Sequence, residues 1–363
     1  MALATAPLRA VESVVGSLVG PHGLDRYLEL VHPMLTVREL RAQVTDVRRD
    51  AHSVTLTLRP NHRWDGFRAG QYVQVAVDVD GVRHTRCFSP ACSEHRGDGR
   101  LELTIAAHDG GVVSRHFHAH ARAGMVVGLT PPQGEFVLPR PRPERVLLIS
   151  GGSGITPVLA MLRTLCDEGH RGPVTLLHYA RSADHVGYLS ELRRLAAAHD
   201  HVAVHVVHTR DDRGDLTGRF GAGHLAAAAP WYRDAETFLC GPASLTAAVT
   251  ELYESQGLAG RLHSERFVLT PVSVPDGTEV RGQVRFAASG VRAVNSGATL
   301  LEQAEGAGLT PEHGCRMGIC FTCTSPKLSG CTRDLRTGEL NTETDTEIQL
   351  CVSVPVGDVE IDI

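Results

Sequence analysis

Between residues 39 and 139 apolar and polar positions alternate in short runs, among them Ser53-Val54-Thr55-Leu56-Thr57-Leu58 and Tyr72-Val73-Gln74-Val75-Ala76-Val77. A period of two turns one face of a strand into a core, and short strands at this spacing predict an antiparallel barrel or sandwich. After Pro139, Pro141 and Pro143 the texture changes. A continuous apolar strand at 145–150 runs into Gly151-Gly152-Ser153-Gly154 and then a helical stretch at 157–166. Further apolar strands at 174–179 and 237–239 alternate with helices at 188–198 and 243–256, the pattern of a parallel α/β sheet. Pro271 and Pro275 mark 270–277 as a linker. Residues 278–363 begin as a hairpin, continue through a short helix at 299–307 and end in strand-like segments. Ahead of all this, 1–38 holds two short helical patterns, 9–19 and 24–31, expected to pack on the next domain.

Composition agrees with several packed units. At about 150 residues per domain, 363 residues predict two to three domains. No run approaches the ~18 uncharged apolar residues of a membrane span, and the start has no small-residue cleavage pattern. The expected location is therefore the cytoplasm, peripheral to a membrane only through a partner. The 36 basic residues include a single lysine, Lys327, whose surroundings fit neither a phosphate loop nor a Schiff base. Charge is near neutral up to 277, whereas 278–363 holds seven basic and twelve acidic residues. An acidic segment repels nucleic acid and is steered toward a basic protein surface.

Nine cysteines, four of them within 315–331, suggest metal or cluster ligation rather than disulfides. Cys315, Cys320 and Cys323 have four and two residues between them, and Cys351 follows beyond the strand-like 347–350. C-x4-C-x2-C with a distant fourth cysteine is the spacing that holds a 2Fe-2S cluster. Cys331 competes for the fourth place but sits in an expected turn. Zinc, the rival metal, generally takes two C-x2-C pairs, and one is present. From the hairpin to 359–363 this segment resembles plant-type ferredoxins, which implies a β-grasp α+β fold.

Upstream, Arg86-Cys87-Phe88-Ser89 resembles the R-x-Y-S flavin motif of the ferredoxin-NADP reductase superfamily. The resemblance implies bound FAD, with Arg86 on its pyrophosphate, Phe88 along the isoalloxazine and Ser89 at N5; Phe88 stands where tyrosine is usual. Gly111-Val112-Val113-Ser114 resembles the G-x-x-S turn that offers helix N–H groups to the pyrophosphate; just before it Ile105-Ala106-Ala107 replaces a basic residue often found there, and Ile105 is expected to contact the cofactor in its place. Gly151-Gly152-Ser153-Gly154-Ile155-Thr156-Pro157 is similar to the superfamily's nicotinamide-binding glycine turn, and Cys240-Gly241-Pro242 to its C-G-P motif, where the cysteine approaches the hydride-donating carbon. Arg181, Ser182 and Tyr188 stand where NADPH-specific relatives bind the 2'-phosphate, so NADPH is expected, with NADH as the alternative. Glu265 and Phe267 match the segment near the flavin. His116, His118 and His120, and His201, His205 and His208, lack the acidic partners and convergence that metal ligation requires.

The resemblance implies a multidomain oxidoreductase: an antiparallel β-barrel for FAD at 39–139, an α/β nicotinamide domain at 140–269 and a 2Fe-2S ferredoxin domain at 278–363. Electrons would arrive from NADPH in pairs and leave through the cluster singly. The extension, with Tyr27-Leu28-Glu29-Leu30 and His32-Pro33, looks most like the subgroup that feeds fatty-acyl desaturases. The expected partner is thus a terminal oxygenase or desaturase, membrane-bound in the latter case, approached through acidic residues such as Glu343, Asp345 and Glu347. The alternatives are the reductase of an aromatic-ring or haem-thiolate oxygenase and, from another class, a redox sensor.

Overall fold

The computed structural model describes residues 31–107, 111–265, 281–314, 318, 321–335 and 338–363. The expected helices of the N-terminal extension up to residue 30 and the linker at 270–277 lie outside them.

The first module is all antiparallel, as its alternation requires. Strands β1 (Arg41–Arg49), β2 (Ser53–Pro60), β3 (Val73–Val79), β4 (Val82–Phe88), β5 (Leu101–Ala106) and β6 (Val126–Leu129) form a sheet in the order β4-β3-β6-β1-β2-β5. Its inward positions, including Val44, Leu56, Val75 and Leu103, make one core. Helix α1 (Val112–His120) buries Val113 and Phe117 on that core.

The second module is a parallel sheet of β7 (Val146–Gly151), β8 (Val174–Ala180), β9 (Val202–His208), β10 (Leu216–Thr217), β11 (Glu236–Cys240) and β12 (Leu262–Glu265). Helices α2 (Ile155–Asp167), α3 (Leu189–Ala198), α4 (Ala222–Ala228) and α5 (Ala243–Ser255) connect the strands. β7 and β8 are buried along their whole lengths, the continuous apolar run expected where helices cover both faces of a sheet. The strand order is β10-β9-β8-β7-β11-β12. It reverses between β7 and β11, so the connections after these two strands leave in opposite directions and open a crevice at their C-terminal ends.

The third module is a mixed sheet of β13 (Gln283–Phe286), β14 (Val291–Val294), β15 (Thr324–Asp334), β16 (Leu340–Asn341), β17 (Thr346–Gln349) and β18 (Ser353–Ile361). β13 and β18 pair in parallel, and the other pairings are antiparallel. Helix α6 (Leu300–Gly306) starts at a capping box in which Thr299 and Glu302 satisfy each other's backbone N–H groups. Its Leu300, Leu301 and Ala304 pack with Val284, Phe286 and Ile361.

Candidate active site

The two glycine-containing motifs of the second module form the walls of the crevice, and their glycines are there because the walls touch. A side chain at Gly154 would come within 2.1 Å of the Cys240 carbonyl oxygen, and one at Gly151 within 2.8 Å of Pro242 Cδ. Gly241 meets Gly151 N at 3.1 Å in the same sense. Gly152 is different: its φ is +54°, and a Cβ there would meet nothing within 4 Å. It presents bare backbone to open space, a cradle for a bound group at the end of β7. Ile155, Thr156 and Pro157 begin α2 and are buried, with Thr156 Oγ1 donating to the Ser153 carbonyl at 3.3 Å.

Strand register puts chemistry beside this cradle. Cys240 lies between Ser150 of β7 and Glu265 of β12. Burial pushes the Cys240 thiol well up, so it is held as the neutral thiol. Burial also raises the Glu265 carboxyl, to about 8. Glu265 Oε2 and Ser89 Oγ are buried without a hydrogen-bond partner among the described residues. A buried polar atom left unpaired costs about 1–3 kcal/mol, which a bound group able to donate or accept at that point removes. Both atoms fit a site completed by a polar cofactor.

In the barrel, Arg86, Cys87 and Phe88 lie at the end of β4 opposite Val75, Gln74 and Val73 of β3, and Ser89 follows them. Alternation along the strand puts Arg86 and Phe88 on one face and Cys87 on the other. Phe88 is half-buried against the barrel core, edge-on to Phe117 with ring centroids 6.5 Å apart. Gly111 is the N-cap of α1, Ser114 Oγ donates back to its carbonyl at 3.3 Å, and Val112 is exposed. No side chain caps this end and no acid sits in its first turn among the described residues, so its N–H groups and positive dipole end suit an anion.

Two expected contacts go elsewhere. Ile105 is 2% exposed and sits in the barrel core, because its position on β5 shares the inward face with Leu101 and Leu103. Its side chain is turned into that core. Tyr188 is the N-cap of α3, with φ +63°, and its hydroxyl bonds to Thr104 and to Glu102 of the barrel. That hydroxyl joins the two domains rather than joining Arg181 and Ser182. Arg181 is exposed just beyond β8 with no ion pair among the described residues, and Ser182 Oγ bonds to His185 Nδ1 at 2.9 Å. Phe267, Cys315 and Cys320 lie outside the described residues.

The other two cysteines of the spaced motif meet. Cys323 and Cys351 are buried, and the Cys351 N–H donates to Cys323 Sγ at 3.5 Å. Leu350 N donates to the Cys323 carbonyl at 3.1 Å, so the two loops are tied by backbone. Backbone N–H groups aimed at sulfur suit a thiolate that carries cluster charge. Cys331 lies on β15 opposite Val356, its thiol toward the Thr332 carbonyl.

Residues 40–138 match the oxidoreductase FAD-binding domain family and residues 148–251 the oxidoreductase NAD-binding domain family. Over 362 residues the chain is 37% identical to an NADPH oxidoreductase of Mycobacterium tuberculosis, a match covering 98% of this chain and 92% of that relative. The chain belongs to the ferredoxin-NADP reductase family. As a member it is an NAD(P)H-dependent oxidoreductase with FAD- and NAD-binding domains. A glycine betaine monooxygenase reductase subunit of Pseudomonas aeruginosa is 31% identical over 320 residues, 82% of this chain and 87% of its own. Phthalate dioxygenase reductase, solved as a modular structure for electron transfer from pyridine nucleotides to [2Fe-2S], superposes with a TM-score of 0.63 at 24% identity, over 90% of this chain and 98% of that one. That likeness is one of fold.

What the family motifs do not contain is the joint between the two cofactor domains. Arg163 is the one charged side chain among the residues of α2 before its last turn, in a helix otherwise almost wholly buried. It donates to Glu102 of β5 at 2.8 Å, to Glu191 of α3 at 2.7 and 2.6 Å and to the Ala91 carbonyl at 2.6 Å. These carboxylates hold its guanidinium above the usual arginine range despite burial. A second bridge runs from Glu94 through Arg142 to Glu168 at 2.8 and 2.6 Å, with His95 on Glu168 at 2.8 Å. A lone charge inside an apolar helix was the legible signal for the first bridge; the second had none.

Proposed function

We propose that the protein passes electrons from NADPH through FAD and a 2Fe-2S cluster to a terminal oxygenase-class acceptor, a fatty-acyl desaturase in the first instance. The single observation that carries the reading is the buried pair Cys323 and Cys351, tied by a backbone N–H to sulfur contact, in a chain whose other two modules are FAD- and NAD-binding. In this reading Cys315, Cys320, Cys323 and Cys351 hold the cluster, and the third module, with parallel β13 and β18 under one helix, is a β-grasp ferredoxin domain.

When bound, the flavin accepts a hydride and releases its electrons one at a time. The chain's own residues prepare that chemistry. Gly111 to Ser114 and Arg86 receive the FAD pyrophosphate, Phe88 borders the ring with the backbone of Cys87 beside it, and Ser89 offers a hydroxyl that has no partner among the described residues. Gly152, Gly154 and the start of α2 receive NADPH, whose 2'-phosphate falls to Arg181 and Ser182. Cys240, Gly241 and Pro242 wall the nicotinamide pocket. Glu265, protonated at neutral pH, gives that pocket a neutral donor in place of a repelling charge.

The desaturase reading is supported by the N-terminal sequence Tyr27 to Pro33, which resembles the extension of desaturase-feeding reductases. A second reading, the reductase of a soluble monooxygenase or ring-hydroxylating dioxygenase, is supported by the glycine betaine monooxygenase relative. No helix among the described residues is long and apolar enough to cross a membrane. Reconstitution decides between them. With NADPH, desaturase-containing membranes are expected to turn over acyl substrate, and a betaine-type oxygenase is not; the reverse result overturns the desaturase assignment, and equal rates with NADH overturn the coenzyme assignment.

A further inference from the structure

Among the described residues of the cysteine motif, Phe321 is a large apolar side chain that is displayed rather than packed. Phe321 follows Cys320 directly, is 66% exposed and has φ +57°. A bulky L-residue in the left-handed region is strained, and here the strain is imposed: Thr324 N and Oγ1 both donate to the Phe321 carbonyl, at 3.1 and 2.7 Å, and pin the turn. Glycine would fit the same turn without strain, so folding alone does not call for an aromatic here. An exposed, strained phenylalanine costs solubility and stability unless something covers it.

Its surroundings say what. Phe321 forms one wall of a cleft of about 320 Å³ whose other walls include Glu347, Ile348 and Asp334. Glu343, Asp345 and Glu347 are exposed beside it, and none of the three makes an ion pair among the described residues. The opposite end of the same motif is already occupied. Gly314, next to Cys315, accepts a hydrogen bond from Arg86 Nη1 of the flavin strand at 3.2 Å. Gly314, before the first cysteine, therefore sits on the flavin module, whereas Phe321, after the second, is aromatic and exposed beside the acidic Glu347.

We propose that Phe321 anchors an electron-exit surface, on which a protein acceptor with a basic rim and a redox centre near its own surface docks while Gly314 stays seated on Arg86. This rests on the proposed function above and deepens it: the partner is a basic protein, and delivery needs no detachment of the third module. Each NADPH supplies two electrons and releases NADP+ and one proton. Each docked acceptor takes one electron, its ferric centre becoming ferrous, so two acceptors are reduced per NADPH.

Cytochrome c, a basic one-electron haem protein, is the probe, and potassium ferricyanide is the small-molecule control. Phe321→Ala and Phe321→Gly are expected to raise KM for cytochrome c about tenfold, the size of effect that truncating an interface anchor gives, and Phe321→Tyr to restore it. Calorimetric Kd for cytochrome c on the oxidised protein should weaken in parallel, ferricyanide reduction should not change, and Phe321→Gly should raise the melting temperature by relieving the turn. Replacing Glu343, Asp345 and Glu347 by their amides should slow cytochrome c reduction at low salt and flatten its salt dependence. Unchanged KM and Kd in both truncations, with the cluster's paramagnetic signal intact after NADPH, would overturn the docking surface and leave the electron path standing. Absence of that signal in the parent protein would instead overturn the electron path.

Discussion

The flavin barrel has two neighbours, and it holds them by different means. Toward the nicotinamide domain it presents Glu102, Glu94 and Thr104, which meet Arg163, Arg142 and Tyr188 in buried, directional bonds. Toward the third module, among the described residues, it presents Arg86, which donates to the backbone carbonyl of Gly314. The difference follows from what crosses each joint. Hydride transfer needs reacting atoms held about 3–3.5 Å apart and aligned, so a small rotation of one domain on the other is costly to rate. An electron needs proximity but no bond alignment, and a lighter joint suffices. Buried ion pairs contribute little net stability compared with apolar packing, but they fix one arrangement, because the unpaired alternatives leave charge in the interior.

The comparison breaks most completely at the cluster side. Cys323→Ser or Cys351→Ser is expected to abolish the reduced-cluster paramagnetic signal and cytochrome c reduction, while NADPH continues to reduce ferricyanide at close to the parent rate. Loss of both activities together would mean that the two joints are not separable.

At the other joint, Arg163→Met removes the cation that Glu102 and Glu191 share, leaving as cationic partners only Arg48 for Glu102, at 2.8 Å, and Arg194 for Glu191, at 3.9 Å, among the described residues. Breaking a buried pair costs about 3–5 kcal/mol, and the variant should melt at lower temperature and reduce its flavin more slowly with NADPH. Parent-like stability with a slowed flavin would show that the bridge acts on geometry alone; no change in either would remove it from the account.

Glu265 sharpens the hydride side through pH. Its carboxyl has an ordinary value of 4.5 and a folded value of about 8, so between these limits the folded chain keeps a proton that the unfolded chain gives up. Its contribution to stability therefore falls as pH rises from about 4.5 to about 8 and is flat above, at roughly 1.4 kcal/mol per unit and a few kcal/mol in all. Glu265→Gln removes this dependence. Its melting temperature, relative to the parent, should climb between pH 5 and pH 8.5, and a constant offset would contradict the buried-acid assignment.

The smallest expected effect is at Tyr188. Tyr188→Phe removes the hydroxyl bonded to Thr104 and Glu102 and should cost about 1 kcal/mol, with KM for NADPH unchanged. A raised KM for NADPH but not NADH would return Tyr188 to the 2'-phosphate role that its position in the chain suggested.

Tyr188 and Ile105 show where linear motifs stop being informative. The glycine turn and Cys240 to Pro242 were legible because each is a local segment whose geometry demands small residues, and the structure packs Gly154 onto the Cys240 backbone accordingly. The three modules were legible from the period of their apolar positions. Ile105 was read from its neighbours in sequence, although alternation with Leu101 and Leu103 already placed it inward. Tyr188, Arg163 and Glu102 are partners across 61 to 86 residues of chain, and no local pattern encodes such a meeting. Phe321 was hidden in plain view: its spacing belongs to the cysteine motif, but only its backbone angle and exposure separate it from a packing residue.

The central claim is that two electrons from one NADPH reach a cluster held by the third module through a flavin held by the first. Stepwise anaerobic titration with NADPH, followed by visible absorption and electron paramagnetic resonance, tests it directly. The account predicts that flavin absorbance bleaches and that a reduced 2Fe-2S signal grows in the same titration, approaching one spin per chain. A fully bleached flavin with no such signal in iron-replete protein would contradict it.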